Sequence, residues 1–228
     1  SLNNQLDEMI KVKYSFINYN GLTTKKYLEM SSTKNPFDDK VVIIDEAHNL
    51  ISRIVNQLNT YYAVKQTIKK KNRESVPMAI NIYKDLLSAT NARIVLLSGT
   101  PIINYPNEIA VLFNILRGYI KTHVFTLSST IPVTIEMLKR HLSELTMLDY
   151  IEYNQKTLTI TTNPFGFETL LNNQGVVYNR DSEYLGERQF PARVKDILQR
   201  HDIAVNEHHI NTFTALPDSL EDFIAEFI

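Results

Sequence analysis

Apolar positions along the chain follow two patterns. Val41, Val42, Ile43 and Ile44 form an unbroken β-branched run, and Ala92–Leu97 reads as a second buried strand. Runs without alternation fit strands buried on both faces, as in a parallel sheet covered by helices. Around them apolar residues recur at helical spacing. Leu50, Ile51, Ile54, Val55 and Leu58 predict a helix over Asn49–Leu58. Ile80, Tyr83, Leu86 and Leu87 predict one over Pro77–Ala89, and Ile109, Leu112, Phe113, Ile115 and Leu116 one over Glu108–Leu116. Upstream, Leu2–Ile10 reads as a short amphipathic helix and Lys13–Tyr19 as a strand broken at Asn20-Gly21. Leu22–Met30 reads as a helix capped by Thr23 or Thr24, and Ser31–Lys40 as a loop. This alternation argues an α/β class, a parallel sheet with flanking crossover helices.

The second half changes character. His123–Leu127 reads as a strand, and Thr134–Leu148 as a helix with Ile135, Leu138, Leu142 and Leu145 on one face. Tyr150–Asn154 and Thr157–Thr161 alternate as a β-hairpin around Asn154-Gln155-Lys156. Asn163–Phe167 is a turn-rich break and Glu168–Gln174 a short helix. A helix over Pro191–Gln199 and a strand over His208–Phe213 follow. Pro217-Asp218-Ser219 opens a closing helix, Leu220–Phe227. This half is a smaller α+β region, and no internal repeat runs through the chain.

At 228 residues and 43% apolar composition, the chain supports one large domain or two small ones. The formal charge of −1 names no partner. Locally, Lys65–Arg73 is the most basic stretch, either a phosphate contact or a solvated loop. The absence of cysteine excludes a disulfide framework and a thiolate metal site. No apolar run reaches membrane-span length. The opening SLNNQLDEMI is unlike a signal peptide, and the missing initiator Met predicts a piece cut from something longer.

The candidate chemistry sits where the two apolar runs end. Asp45 and Glu46 follow the first run, at the carboxyl edge of the expected sheet, where open α/β folds bind ligands. A carboxylate there can hold Mg²⁺ through water while its neighbour polarises an attacking water. The plain alternative is a strand ending in a polar cap. Ser98-Gly99-Thr100-Pro101 ends the second run, as a functional tip or as helix caps. On the hairpin, Tyr150, Tyr153 and Lys156 either stack on nucleic acid or simply pack. His208-His209 is a poor metal pair, because neighbours on a strand point to opposite faces.

The pairing of VVIIDEAHNL (Val41–Leu50) with LLSGTPIINYPNEIAVLFNIL (Leu96–Leu116) resembles superfamily 2 helicases and translocases. The wording is closest to the Swi/Snf-like branch and its large-DNA-virus relatives, poxvirus-like or giant-virus transcription ATPases. FINYNGL (Phe16–Leu22) is similar to the segment preceding the acidic motif there, and the spacing of Asn104, Glu108 and Leu112 resembles the same branch. The final ALPDSLEDFIAEFI resembles the lead-in to a second RecA-like domain. The resemblance implies a partial RecA-like domain over residues 1–118, an inserted or linking α+β region over 119–212, and the start of a second RecA-like domain over 213–228. It implies ATP and Mg²⁺ as cofactors, nucleic acid as partner, DNA before RNA, with transcription machinery as a further partner and no membrane. The location implied is intracellular, the virion or the infected-cell cytoplasm. Asp45 would hold Mg²⁺ through water, and Glu46 would orient or deprotonate the attacking water. His48 would link the nucleotide site to the second motif, unless it merely caps the next helix. Ser98, Gly99 and Thr100 would couple hydrolysis to movement. Asn20 and Gly21 would lie near the tracked strand, or form a plain turn.

One departure stands out. None of the six glycines is followed by Lys, so no G-x-x-x-x-G-K-[ST] phosphate-binding loop is present. The family places that loop upstream and its charge-stabilising arginines downstream, so the isolated chain is expected to hydrolyse no ATP. Two other readings compete. One is a catalytically inactive helicase-like module that binds nucleic acid or protein. The other is a nuclease or another Mg²⁺ enzyme built on Asp45 and Glu46, for which few further strand-end acids are present.

Overall fold

A computed structural model describes residues 2–18, 21–65, 76–164, 166–170, 175–179, 185 and 189–228. The chain is mixed α/β and divides into two compact units, Ser1–Leu112 with Asp218–Ile228, and Phe113–Pro217.

In the first unit the order is α1 (Leu2–Lys13), α2 (Thr24–Met30), β1 (Val41–Ile44), α3 (Ala47–Lys65), α4 (Met78–Ser88), β2 (Arg93–Leu96) and the start of α5 (Glu108–Arg117). α8 (Leu220–Phe227) closes it, with Ser219 accepting a cap bond from the Asp222 N–H. β1 and β2 are paired in parallel, with Val41 opposite Arg93 and Ile44 opposite Leu96. The core comes from the helices. Ile51, Ile54 and Val55 of α3 and Ala79, Ile80 and Leu86 of α4 are each at most 1% exposed. A buried Tyr27 hydroxyl donates to Asp85 at 2.6 Å, tying α2 to α4.

Three expectations change here. β1 and β2 are not buried on both faces: Val41 is 68% and Ile43 60% exposed, while Val42 and Ile44 are half-buried. An apolar run marks a strand, but the number of layers covering it depends on residues far away in sequence. The strand expected over Lys13–Tyr19 does not form over Tyr14–Asn18. α1 instead runs through Lys13, and Tyr14 and Phe16 are exposed. A strand needs a neighbour for its backbone groups, and among the described residues this stretch has none. Tyr19 and Asn20 lie outside the described residues, as does the basic stretch beyond Lys65 through Arg73.

In the second unit β3 (Ile120–Ser129), α6 (Ile135–His141), β4 (Leu148–Asn154), β5 (Thr157–Thr162), α7 (Gln189–Gln199) and β8 (Ile203–Phe213) succeed one another. The antiparallel sheet order β4-β5-β3-β8 gives a split β-α-β arrangement. A short hairpin, β6 (Phe167–Thr169) with β7 (Val176–Tyr178), is set between β5 and α7. Phe125, Leu127, Leu138, Leu142, Leu158, Ile160, Val194 and Ile203 form the core. The helix expected to reach Leu148 stops at His141 and tightens into a 3₁₀ turn over Leu142–Glu144. Leu142 and Leu145 still point inward through that turn, so the apolar spacing outlasts the helix. Phe167–Thr169 is strand rather than helix, and 171–174 lie outside the described residues.

The β4–β5 hairpin forms as the alternation predicts, and Asn154 pairs with Thr157. Its two turn residues, Gln155 and Lys156, sit at φ 46° and 67°. That is the left-handed region, which Asn-Gly adopts at least cost. Replacing Gln155-Lys156 by Asn-Gly is therefore expected to stabilise this unit by about 1 kcal/mol. Thermal unfolding of the variant checks it, and an unchanged or lower midpoint refutes it.

Candidate functional site

The site is built by the parallel pairing of β1 with β2. The ladder continues past the strands: the Leu97 N–H donates to the Ile44 carbonyl at 2.9 Å, and the Ala47 N–H to the Leu97 carbonyl at 2.9 Å. Two short crossings thus hold the Asp45-Glu46 tip beside the Ser98-Gly99-Thr100 tip. α3 starts immediately after the acids, so His48 stands in its first turn.

His48 bridges the two tips. Its Nδ1 lies 2.9 Å from Ser98 Oγ and 3.3 Å from Glu46 Oε2. The imidazole is 16% exposed and the Glu46 side chain 65% exposed. Ser98 Oγ also accepts from the Thr100 N–H at 3.2 Å, so the hydroxyl organises its own loop as well as meeting His48. Asp45 Oδ1 accepts from the Glu46 N–H at 3.0 Å. Glu46 has φ +48°, a left-handed backbone that a non-glycine residue adopts at a cost of about 1 kcal/mol or more. Residues held this way gather at functional sites. At Gly99 an added Cβ would meet nothing within 4 Å, so the chain itself does not demand glycine there.

Among the described residues no group of three or more His, Asp or Glu side chains could enclose a metal ion. One exposed carboxylate beside a second does fit Mg²⁺, which keeps most of its waters and shares substrate phosphates. It does not fit a cation that needs an all-protein cage.

Of the residues singled out in the sequence, Asp45, Glu46, His48, Ser98, Gly99 and Thr100 come together. Gly21 sits elsewhere, its N–H donating to the Asn18 carbonyl at 3.2 Å, and Asn20 lies outside the described residues. On the hairpin, Tyr153 packs against the core of the second unit while Tyr150 is half-exposed and donates to Glu152 at 3.0 Å. His208 and His209 face opposite sides of β8, as strand geometry requires. His208 pairs with His123 across the sheet at 3.1 Å, Nε2 to Nδ1.

Sequence reasoning missed Ser52 altogether and read Glu108 only as the start of a helix with a family-like spacing. Glu108 is 1% exposed. Its carboxylate accepts from the Ser52 hydroxyl in a short hydrogen bond and from the Ile103 and Asn104 N–H groups at 2.6 and 3.1 Å. The one sequence signal for Ser52 is its place four residues after His48, on the same face of α3.

Curated proteins share this region. A protein of Acanthamoeba polyphaga mimivirus, provisionally named an ATP-dependent RNA helicase, is 28% identical over 60% of this chain and 17% of its own length. A second mimivirus protein with the same provisional name is 29% identical over 70% of this chain and 25% of its own. The termination factor NPH-I homolog of African swine fever virus is 25% identical over 74% of this chain and 19% of its own. The chain is thus similar to proteins of large DNA viruses named as helicases or as a termination factor. The chain spans a quarter or less of the length of each of those proteins. No family model and no solved structure matches it. No helix among its described residues is long and apolar enough to cross a membrane.

Proposed function

We propose that this chain supplies the catalytic-carboxylate part of a viral, nucleic-acid-dependent ATPase of the helicase or translocase type, acting on DNA in transcription in the virion or infected-cell cytoplasm. The observation that carries the reading is the β1–β2 parallel pair, which sets two acids and a Ser-Gly-Thr loop side by side with His48 between them. Bound Mg²⁺ would supply charge neutralisation on the phosphates, with Asp45 holding it through water. Glu46 would take the proton of the attacking water. His48, in contact with both Glu46 and Ser98, would pass the state of that carboxylate to the Ser98–Thr100 loop, which would couple hydrolysis to movement on the nucleic acid.

On this reading residues 1–118 are part of a RecA-like domain, 119–212 an inserted or linking region, and 213–228 the start of a second RecA-like domain. The open face of β1 and β2, with Val41 and Ile43 outward, supports it, because the second helix layer of a larger RecA-like domain would cover that face. Asn20 and Gly21 would then be the nucleic-acid contacts. The phosphate cradle has to come from residues outside these 228, since none of the six glycines precedes a lysine.

The test is hydrolysis by two polypeptides. The purified 228-residue chain is expected to turn over no ATP. A polypeptide joining it to a phosphate-binding loop is expected to do so, with stimulation by DNA exceeding that by RNA. Turnover by the short chain that Glu46→Gln abolishes would overturn the division of labour. Absence of nucleic-acid stimulation in the longer polypeptide would favour the inactive binding module instead.

A further inference from the structure

The loop that follows β2 is fastened to α3 at two levels. The upper fastening is His48 to Ser98 at 2.9 Å. The lower one lies a turn further along the same helix face, at Ser52. There Asn104 Nδ2 donates to Ser52 Oγ at 2.9 Å, the Ser52 hydroxyl donates to Glu108, and Glu108 accepts the Ile103 and Asn104 amides. Ser52, Asn104 and Glu108 therefore close a ring of hydrogen bonds around a carboxylate that is 1% exposed.

The surroundings make the ring more than local packing. Ile102, Ile103 and Asn104 are exposed, so apolar burial does not hold residues 102–104 in place. Nor does a strand: β2 ends at Leu96, and α5 does not start until Glu108. What fixes the path of the chain between them is the carboxylate at the helix start reaching back to two backbone N–H groups. Hydrogen bonds to a charged, buried acceptor are the strong kind.

We infer that Glu108, with Ser52 and Asn104, is a positioning latch that sets where Ser98-Gly99-Thr100 lie against Asp45-Glu46. The latch rests on the functional reading above only for its purpose. Its geometry makes a claim of its own, that Glu108 governs the loop and, through Ser98, the environment of His48. Glu108 touches no reacting atom. It acts through the loop, and α3 is the common rail for both fastenings.

The experiment is amide hydrogen exchange and imidazole NMR on the 228-residue chain, without nucleotide. Glu108→Ala is expected to speed exchange at Ile103 and Asn104 by about ten- to hundred-fold and to shift the His48 ring resonances, with α3 and α4 amides changed little. Glu108→Gln keeps one acceptor oxygen for the loop amides and is expected to restore most of the protection. Ser52→Ala, which removes one hydroxyl at a half-buried position, is the variant least able to disturb folding. It should shift the His48 resonances while leaving the midpoint of thermal unfolding close to the parent. Exchange that rises uniformly through α3, α4 and the loop, or His48 resonances that stay put in both Glu108→Ala and Ser52→Ala, would overturn the latch. Failure of the longer polypeptide to hydrolyse ATP would overturn the motor and leave these shifts standing.

Discussion

In a polypeptide that joins this chain to a phosphate-binding loop, Glu46→Gln is expected to cut ATP hydrolysis by about 100- to 10,000-fold while nucleotide binding stays within about two-fold. Gln preserves the size of the side chain and can keep a contact with His48 Nδ1, which lies 3.3 Å from the native carboxylate. It cannot accept a proton from water. Folding is not the confounder, because the left-handed backbone at this position, φ +48°, strains Gln as much as Glu. Asn or Gly would occupy that backbone more cheaply. Glu at that backbone position is a conflict between local preference and residue type, of the kind expected where a carboxylate is needed for function. Steady-state hydrolysis with a separate nucleotide-binding titration checks the expectation. Activity within about ten-fold of the parent would remove Glu46 as the base. Asp45→Asn offers a contrast: on the proposed role of Asp45 in holding Mg²⁺, it is expected to change the Mg²⁺ dependence rather than only the turnover.

The heart of this site was legible because it needs only local rules. One β-branched run and one largely aliphatic run read as strands, and a parallel pair puts both carboxyl ends on one edge, so the acids and the Ser-Gly-Thr tip become neighbours. The strand limits at Val41 and Ile44 came out as the pattern gave them. The lower fastening was not legible. Ser52 and Glu108 are 56 positions apart, and a serine within a helical run carries no mark of a distant partner. The strained backbone of Glu46 was equally invisible, since nothing in the letters distinguishes a glutamate at φ +48° from one in a helix.

The fold divides in the same way. Alternation in Tyr150–Asn154 and Thr157–Thr161 found the hairpin because cross-strand pairing and the two-residue turn are both local. Lys13–Tyr19 carried strand-like residues and formed no strand over its described part, since β-propensity describes fit to a neighbouring strand and none pairs with it among the described residues. Thr134–Leu148 kept its apolar face beyond the end of the helix, so periodicity overran the true boundary by seven residues, from His141 to Leu148. The cluster of three basic residues at Lys139–His141 marks that end, as cations favour a helix C-terminus.

Acidification from pH 7 to pH 4 is expected to destabilise the second unit by up to about 3 kcal/mol through His123. The imidazole is 4% exposed, and its pKa is lowered from 6.5 to about 4, first by burial, then by His208 and by Lys121. His208, itself lowered by burial and by Lys195 and His209, pairs with it at 3.1 Å, Nδ1 to Nε2. That contact needs one ring to donate and the other to accept, so the two cannot both be protonated while it holds. Phe125 and Phe190 flank His123, with ring centroids at 6.3 and 4.7 Å, and offer no counter-charge. Between pH 6.5 and about 4 the unfolded chain therefore binds a proton that the folded chain refuses, so stability rises with pH across that window. The contribution is complete above 6.5 and gone below about 4. Denaturant unfolding followed at several pH values gives the slope directly. His123→Phe, which suits the aromatic surroundings, should flatten it, and His208→Gln, which keeps a partner for His123 while removing the second charge, should reduce it in part. A slope that survives His123→Phe unchanged would place the acid sensitivity elsewhere in the unit.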